Sequence, residues 1–226
     1  MAQRTEALDS PDDFPTPPWA TRALLEHAVQ DRWALSKMSC LEPACGAGHM
    51  SKVLSEYFAD VASSDAYDYG YGEVRDFSKF PYEKNSFDWV ITNPPFRLGE
   101  EFIAKGLSIA RHGVAMLART VFVESVGRYD RIFSKTPPTK FAQFTERVPM
   151  VKGRLDKKAS TATGYGWLIW EKTVVAGTQL IWIPPCRKSL EREGDYELPK
   201  KPSIQAGETS ATIISDPRFR GDLFGT

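Results

Sequence analysis

The chain has 226 residues, 42% of them hydrophobic and 26% charged, with 29 basic and 29 acidic side chains and a formal net charge of zero. That length carries one full-sized domain with its own core, and the charge balance excludes a globally basic nucleic-acid binder while leaving room for a local basic patch. Cys40, Cys45 and Cys186 form no CxxC pair and no ligand set with His27, His49 or His112, so neither a disulfide framework nor a metal site is expected.

In chain order, residues 1–15 read as a loose N-terminal arm whose polar, acidic start has no apolar stretch, so no signal peptide is expected. No apolar run approaches membrane-spanning length, and a cytoplasmic protein with no membrane partner is expected. A helix begins at Thr16-Pro17-Pro18-Trp19, with Thr16 as the expected cap and Ala20, Leu24 and Ala28 on its apolar face. Ser39-Cys40-Leu41-Glu42 reads as a short buried strand. Pro43-Ala44-Cys45-Gly46-Ala47-Gly48 follows as a turn, and Met50, Val53, Leu54, Tyr57 and Phe58 then recur at helical spacing. Val61 to Asp65 and Phe87 to Thr92 are further strands, and Phe102, Ile103, Leu107 and Ala110 mark the helix behind the second. Val114 to Leu117 is a strand again, with a helix around Tyr129, Ile132 and Phe133.

Phe141 to Val148 and Gly164 to Glu171 read as an antiparallel pair around a long loop, and Gln179 to Ile183 as one more strand. Beyond Pro184 the periodicity fades, which divides the chain into a domain over 1–183 and a tail or arm over 184–226. Strands alternating with helices predict an α/β protein with a parallel sheet covered on both faces.

Ligands of such a sheet bind at the carboxyl ends of its strands, and four features fall there. The glycines of Glu42-Pro43-Ala44-Cys45-Gly46-Ala47-Gly48 let the backbone approach a ligand, although a tight turn that binds nothing has the same composition. Asp65 ends the second strand about 20 residues past the glycine turn, where an acid can accept from both ribose hydroxyls; alone it would be an ordinary turn aspartate. Asp76-Phe77 can receive an adenine amino group and pack on its ring, or can simply be a cap and a core phenylalanine.

In Asn93-Pro94-Pro95-Phe96, two prolines make a rigid corner. There the Asn93 side-chain carbonyl and the Pro94 backbone carbonyl can accept the two hydrogens of an amine, with Phe96 stacked on the planar group bearing it. Such a corner works by orientation and electrostatics, with no covalent intermediate.

The order of these elements resembles the class I S-adenosylmethionine-dependent methyltransferases. More narrowly it resembles the branch that methylates exocyclic amines, above all the N6-adenine DNA methyltransferases, over about residues 14–171. The resemblance implies a Rossmann-like fold: a mostly parallel seven-stranded sheet with one antiparallel strand and helices on both faces. It implies S-adenosyl-L-methionine as cofactor, with Thr16 and Pro17 reaching it, and with Glu42, Pro43, Ala44, Cys45, Gly46 and Gly48 around its methionine end. Asp65 would hold the ribose, Asp76 and Phe77 the adenine, and Asn93, Pro94, Pro95 and Phe96 the target amine, Asn93 also bordering the cofactor. The family often has Tyr where this chain has Phe96, a change that leaves stacking intact.

The expected target is adenine N6 in DNA. The alternatives are a base of ribosomal or transfer RNA, a protein glutamine amide, or, in a different class, a cofactor-binding interaction module without catalysis. No separate target-recognition domain is evident, so the expected nucleic-acid contact is the loop at 149–163, where Lys152, Arg154, Lys157 and Lys158 surround one acid, Asp156. A solvated loop would have the same composition. Arg187, Lys188, Lys200 and Lys201 would extend the patch. With one basic loop, action on duplex DNA is expected either with little sequence specificity or as a homodimer; single strands or structured RNA, where flipping costs less, are the alternative.

Overall fold

The strand signals assemble into one sheet in the computed structural model, which describes residues 12–174 and 177–197. The rest of the expected arm, and the tail beyond 197 with Lys200 and Lys201, lie outside the described residues. The strands are β1 (Ser39–Glu42), β2 (Asp60–Asp65), β3 (Glu73–Val74), β4 (Phe87–Thr92), β5 (Ala110–Arg119), β6 (Lys140–Phe144), β7 (Tyr165–Glu171) and β8 (Gln179–Ile183), in the spatial order β3-β2-β1-β4-β5-β7-β6-β8. Only β7 runs against its neighbours, antiparallel to both β5 and β6, while β8 is parallel to β6. The architecture is the expected Rossmann-like one. Its count is eight strands, not seven, because Glu73–Val74 adds a strand of two residues, too short for any period to show.

Alternation along the strands divides the core in two. Trp89, Ile91, Ala115, Leu117, Trp167 and Ile169 point to one side of the sheet, where α1 (Pro18–Leu24) and α3 (His49–Leu54) bring Trp19, Leu24, Met50 and Val53. Val90, Val114, Met116, Leu168 and Trp170 point to the other, under Phe102 and Ile103 of α4 (Gly99–Ile109). Helices thus cover both faces, and β7, buried from Tyr165 to Trp170, is the continuous apolar run expected of a strand with no wet side. Each large side chain fully buried here contributes about 1.5–3 kcal/mol of transfer free energy.

One sequence expectation is corrected. Thr16 does not cap α1. The cap position falls on Pro17, Pro18 supplies no N–H to be capped, and the Thr16 hydroxyl is buried without a hydrogen-bond partner. The first residues of the expected tail or arm, whose order the sequence leaves open, pack against the domain. Cys186 is buried in the first core cluster, and the Glu146 carboxylate accepts from Cys186 N (2.6 Å) and Arg187 N (2.7 Å), opening a short helix at Arg187–Leu190. The buried Arg22 of α1 binds Glu56 (2.7 Å) and Asp195 (2.8 Å) and donates to Leu190 O (2.8 Å). Residues 184–197 are held by polar contacts with distant parts of the chain, which leave no periodic trace in a sequence.

Candidate active site

Beyond the carboxyl ends of β1, β2 and β4 lies a cavity of about 610 Å³, large enough for a nucleotide-sized ligand. Its floor is the turn after β1. Gly46 sits at φ +51°, and a Cβ there would come within 3.6 Å of Asp13 Oδ1; Gly48 sits at φ +82° beneath the Tyr71 ring, 2.5 Å from where a Cβ would stand. Both positions have a left-handed backbone, and at Gly48 the Tyr71 ring also leaves no room for a Cβ, which suits glycine. Asp65 closes β2 and ties itself to that turn, accepting from Gly46 N (2.9 Å) and Tyr67 N (3.0 Å). Each carboxylate oxygen keeps a lone pair for a ligand. Burial raises the Asp65 pKa; burial and then the nearby Asp65 charge raise that of Asp13, against the pull of Lys152.

Glu42, at the end of β1, is fully buried. Burial pushes its pKa up to about 8 even though Ser51 Oγ donates to it, so near pH 7 the carboxyl is largely protonated. Ser63 Oγ in turn donates to Ser51 Oγ at 2.7 Å. His49 is pushed down to about 4 by burial and by Lys52, and is neutral. Asp76 accepts from Ser78 N (3.0 Å) and pairs with Lys79 (2.9 Å), which holds it below the usual carboxylate range; Phe77 packs on Phe102 with centroids 4.7 Å apart. Turn and core roles are therefore both real for Asp76 and Phe77, and both residues also line the cavity.

At the far wall stands the corner after β4. Asn93 Nδ2 donates to Phe14 O at 2.9 Å, which fixes the amide; its Oδ1 is buried with no hydrogen-bond partner. Among the described residues, no hydrogen bond reaches the Pro94 carbonyl either. Phe96 N donates to Asp12 Oδ2 (2.7 Å), and the Phe96 ring meets Phe14 (centroids 5.1 Å apart) and the Arg119 guanidinium (3.8 Å from the ring centroid). Phe96 is also the partition to a second, smaller cavity of about 180 Å³, walled by Pro94, Ile103, Met116, Phe122, Arg119 and Arg128.

The large cavity brings together Thr16, Glu42, Pro43, Ala44, Cys45, Gly46, Asp65, Asp76, Phe77, Asn93, Pro95 and Phe96. Pro94 faces the smaller one. Pro17 is buried at the helix cap, and Gly48 supports the turn from beneath Tyr71; neither lines the cavity. Of the basic loop, Lys152 reaches the large cavity, whereas Arg154 pairs with Asp156 (3.4 Å), Lys157 with Glu191 (3.6 Å), and Lys158 is exposed. Sequence reasoning missed Asp12, Asp13, Phe14, Tyr67, Tyr69 and Arg119. Only the tyrosines had a local signal, the alternation Tyr67-Asp68-Tyr69-Gly70-Tyr71 directly after the acid of β2. Among the described residues no cluster of His, Cys, Asp or Glu could hold a metal, and no helix is long and apolar enough to cross a membrane.

No protein-family model and no curated protein sequence matches the chain. Solved structures do. A protein of Listeria monocytogenes thought to be a class I S-adenosylmethionine-dependent methyltransferase aligns over 73% of this chain and 62% of its own, at 12% identity and a TM-score of 0.50. The modification subunit of a proposed type I restriction enzyme from Vibrio vulnificus YJ016 aligns over 76% and 46%, at 17% identity and a TM-score of 0.53. A proposed RNA methyltransferase from Pyrococcus horikoshii aligns over 74% and 92%, also at 17% identity and 0.53. The chain thus spans less than two thirds of the length of the first two. Together with the strand order and the single reversed strand, these likenesses give the chain the class I methyltransferase fold.

Proposed function

We propose that the protein is an S-adenosylmethionine-dependent N-methyltransferase acting on an exocyclic amine of a nucleobase, with adenine N6 in DNA as the target, in the cytoplasm. The observation that carries this reading is the pair of open acceptors at the rigid corner, Asn93 Oδ1 and Pro94 O, beside a nucleotide-sized cavity. A buried amide oxygen without a partner costs about 1–3 kcal/mol, which an amine donor recovers.

The cavity suits this cofactor by charge. Asp12, Asp13, Asp65 and Asp76, with the largely protonated Glu42, line it, and its basic side chains are Arg97 and Lys152. Such a lining disfavours the phosphates of a dinucleotide and favours a cationic nucleoside. Asp65, with Asp13 beside it, would accept from the ribose hydroxyls. The Thr16 hydroxyl and Glu42 would face the amino-acid end, and Asp76 with Phe77 the adenine. When bound, S-adenosylmethionine supplies an electrophilic methyl group.

The chain's own part is orientation. Phe14 O holds the Asn93 amide so that its oxygen faces the amine, and the prolines fix the second acceptor. Two accepted hydrogen bonds keep both amine hydrogens in place, so the nitrogen lone pair points at the electrophile as the nitrogen becomes tetrahedral. Phe96 supplies a face for the base. On duplex DNA the base must be flipped out, by a monomer with little sequence preference or by a homodimer.

Incubation with labelled S-adenosylmethionine and, separately, duplex DNA, single-stranded DNA, total RNA and protein extract tests this reading. Digestion should yield label on adenine N6 from DNA. Label confined to RNA or to glutamine would move the substrate, and cofactor binding with no label anywhere would leave an interaction module.

A further inference from the structure

The smaller cavity, on the other side of Phe96, differs in kind from the larger. Its polar side chains are two arginines, Arg119 from the end of β5 and Arg128, and no carboxylate lines it. Both guanidinium groups carry an Nε that is buried without a hydrogen-bond partner. Arg128 Nε lies 3.4 Å from Glu100 Oε1 outside hydrogen-bond geometry, while its Nη1 donates to Phe122 O (3.0 Å). The Arg119 guanidinium carbon sits 3.8 Å from the Phe96 ring centroid, and Tyr165, its partner across the sheet, also hydrogen-bonds its side chain. The rim carries exposed apolar and aromatic side chains: Val121 is 56% exposed, Val126 82% and Tyr129 60%.

We infer that this cavity and its rim bind a nucleotide, with Arg119 and Arg128 taking a phosphate of the strand that carries the target base. The inference rests on the methyltransferase reading and deepens it by fixing the substrate as a phosphodiester polymer. Each guanidinium keeps an Nε without a hydrogen-bond partner above an apolar wall, although Arg128 also pairs with Glu100; such a wall suits an anion, and the planar fork of arginine matches phosphate in two hydrogen bonds. The stacked guanidinium also occupies part of the Phe96 ring. A base arriving on that side displaces it, and the released Arg119 then meets the phosphate that came with the base. Val121, Val126 and Tyr129 offer unpaired neighbouring bases an apolar and aromatic surface of the kind that single strands use. DNA and RNA share this phosphate chemistry; a peptide carrying a glutamine lacks it.

Fluorescence anisotropy with short labelled single-stranded DNA and RNA, measured across a salt series, tests the assignment directly. Arg119→Gln and Arg128→Gln should each weaken binding about tenfold at low salt and reduce the log–log salt slope by about 1. Arg119→Lys should keep the slope and lose affinity, since the charge stays while the fork is gone. Arg32→Gln, an exposed arginine on the short helix Arg32–Leu35, should change neither quantity. S-adenosylmethionine affinity, measured by calorimetry on the same samples, should stay within about twofold for all four variants. Unchanged slopes in both Arg→Gln variants would overturn the inference, as would transfer to a glutamine peptide with no binding of either nucleic acid. Failure of the wild-type protein to bind S-adenosylmethionine would instead sink the underlying function, a different result from a lost salt slope.

Discussion

Phe96 separates two cavities with opposite linings. On one side four aspartates and the largely protonated Glu42 face two cations; on the other, two arginines stand on an apolar wall that no carboxylate lines. A protein of zero net charge has thereby segregated its charge across one aromatic ring. Overall charge therefore says little about partners when two oppositely lined sites share a wall: in the proposed function the acidic side takes a cationic nucleoside, the arginine side an anion, and the corner between them an amine.

Both cavities hang on the same scaffold, so the largest effect should come from disturbing it. Arg22→Met would leave the buried Asp195 carboxylate without its cation and with Arg192 N as its remaining donor, at a cost of about 3–5 kcal/mol in denaturant unfolding, with both binding activities failing together near the melting point. A variant as stable as the wild type would detach residues 184–197 from the account. Next, Asp65→Ala should separate the two sides. It removes the proposed ribose acceptor and loosens the Gly46 turn, so S-adenosylmethionine binding should weaken about 100-fold by calorimetry while oligonucleotide binding stays nearly unchanged. Equal losses in both would erase the distinction.

A smaller effect is expected from pH. Glu42 has a folded-state pKa of about 8, raised by burial from 4.5. Its contribution to the stability of the ligand-free protein is therefore fully present below the ordinary glutamate pKa and is lost as the pH rises through about 8. Glu42→Gln should remove that loss. For a ligand carrying an ammonium group the sign is opposite: affinity should rise about tenfold across the two pH units centred on about 8, as the carboxyl ionises, and Glu42→Gln should flatten the rise. The smallest effect is expected at the basic loop. Neutralising Lys152, Arg154, Lys157 and Lys158 together should weaken polymer binding by less than Arg119→Gln alone, because Arg154 and Lys157 already face Asp156 and Glu191. A larger loss would move the polymer's main contact from the arginine cavity to the loop.

The acidic side was far more legible in sequence than the arginine side. β1 and β4 have the bounds that their apolar runs suggest, and the Gly46 turn and Asp65 lie within one strand–turn–helix–strand unit, where spacing alone brings them together. Arg119 carried no such signal. It is one arginine at the end of a strand, and only folding lays it over a ring 23 positions earlier. The arm is similar: Asp12 and Phe14 reach Phe96 and Asn93 across 84 and 79 residues. Thr16 resembled a cap because capping residues and prolines cluster at helix starts, and the structure moved the start by one position. Local rules thus identified the turn and the corner, while the contacts that orient the corner belong to the tertiary structure.

The central claim is that Asn93 holds the amine and does little for the cofactor. The direct measurement is methyl transfer by Asn93→Ala alongside S-adenosylmethionine affinity in the same preparation. Affinity should stay within a few-fold of wild type while transfer falls by about 100- to 1,000-fold. Transfer that survives the substitution undiminished would contradict that claim.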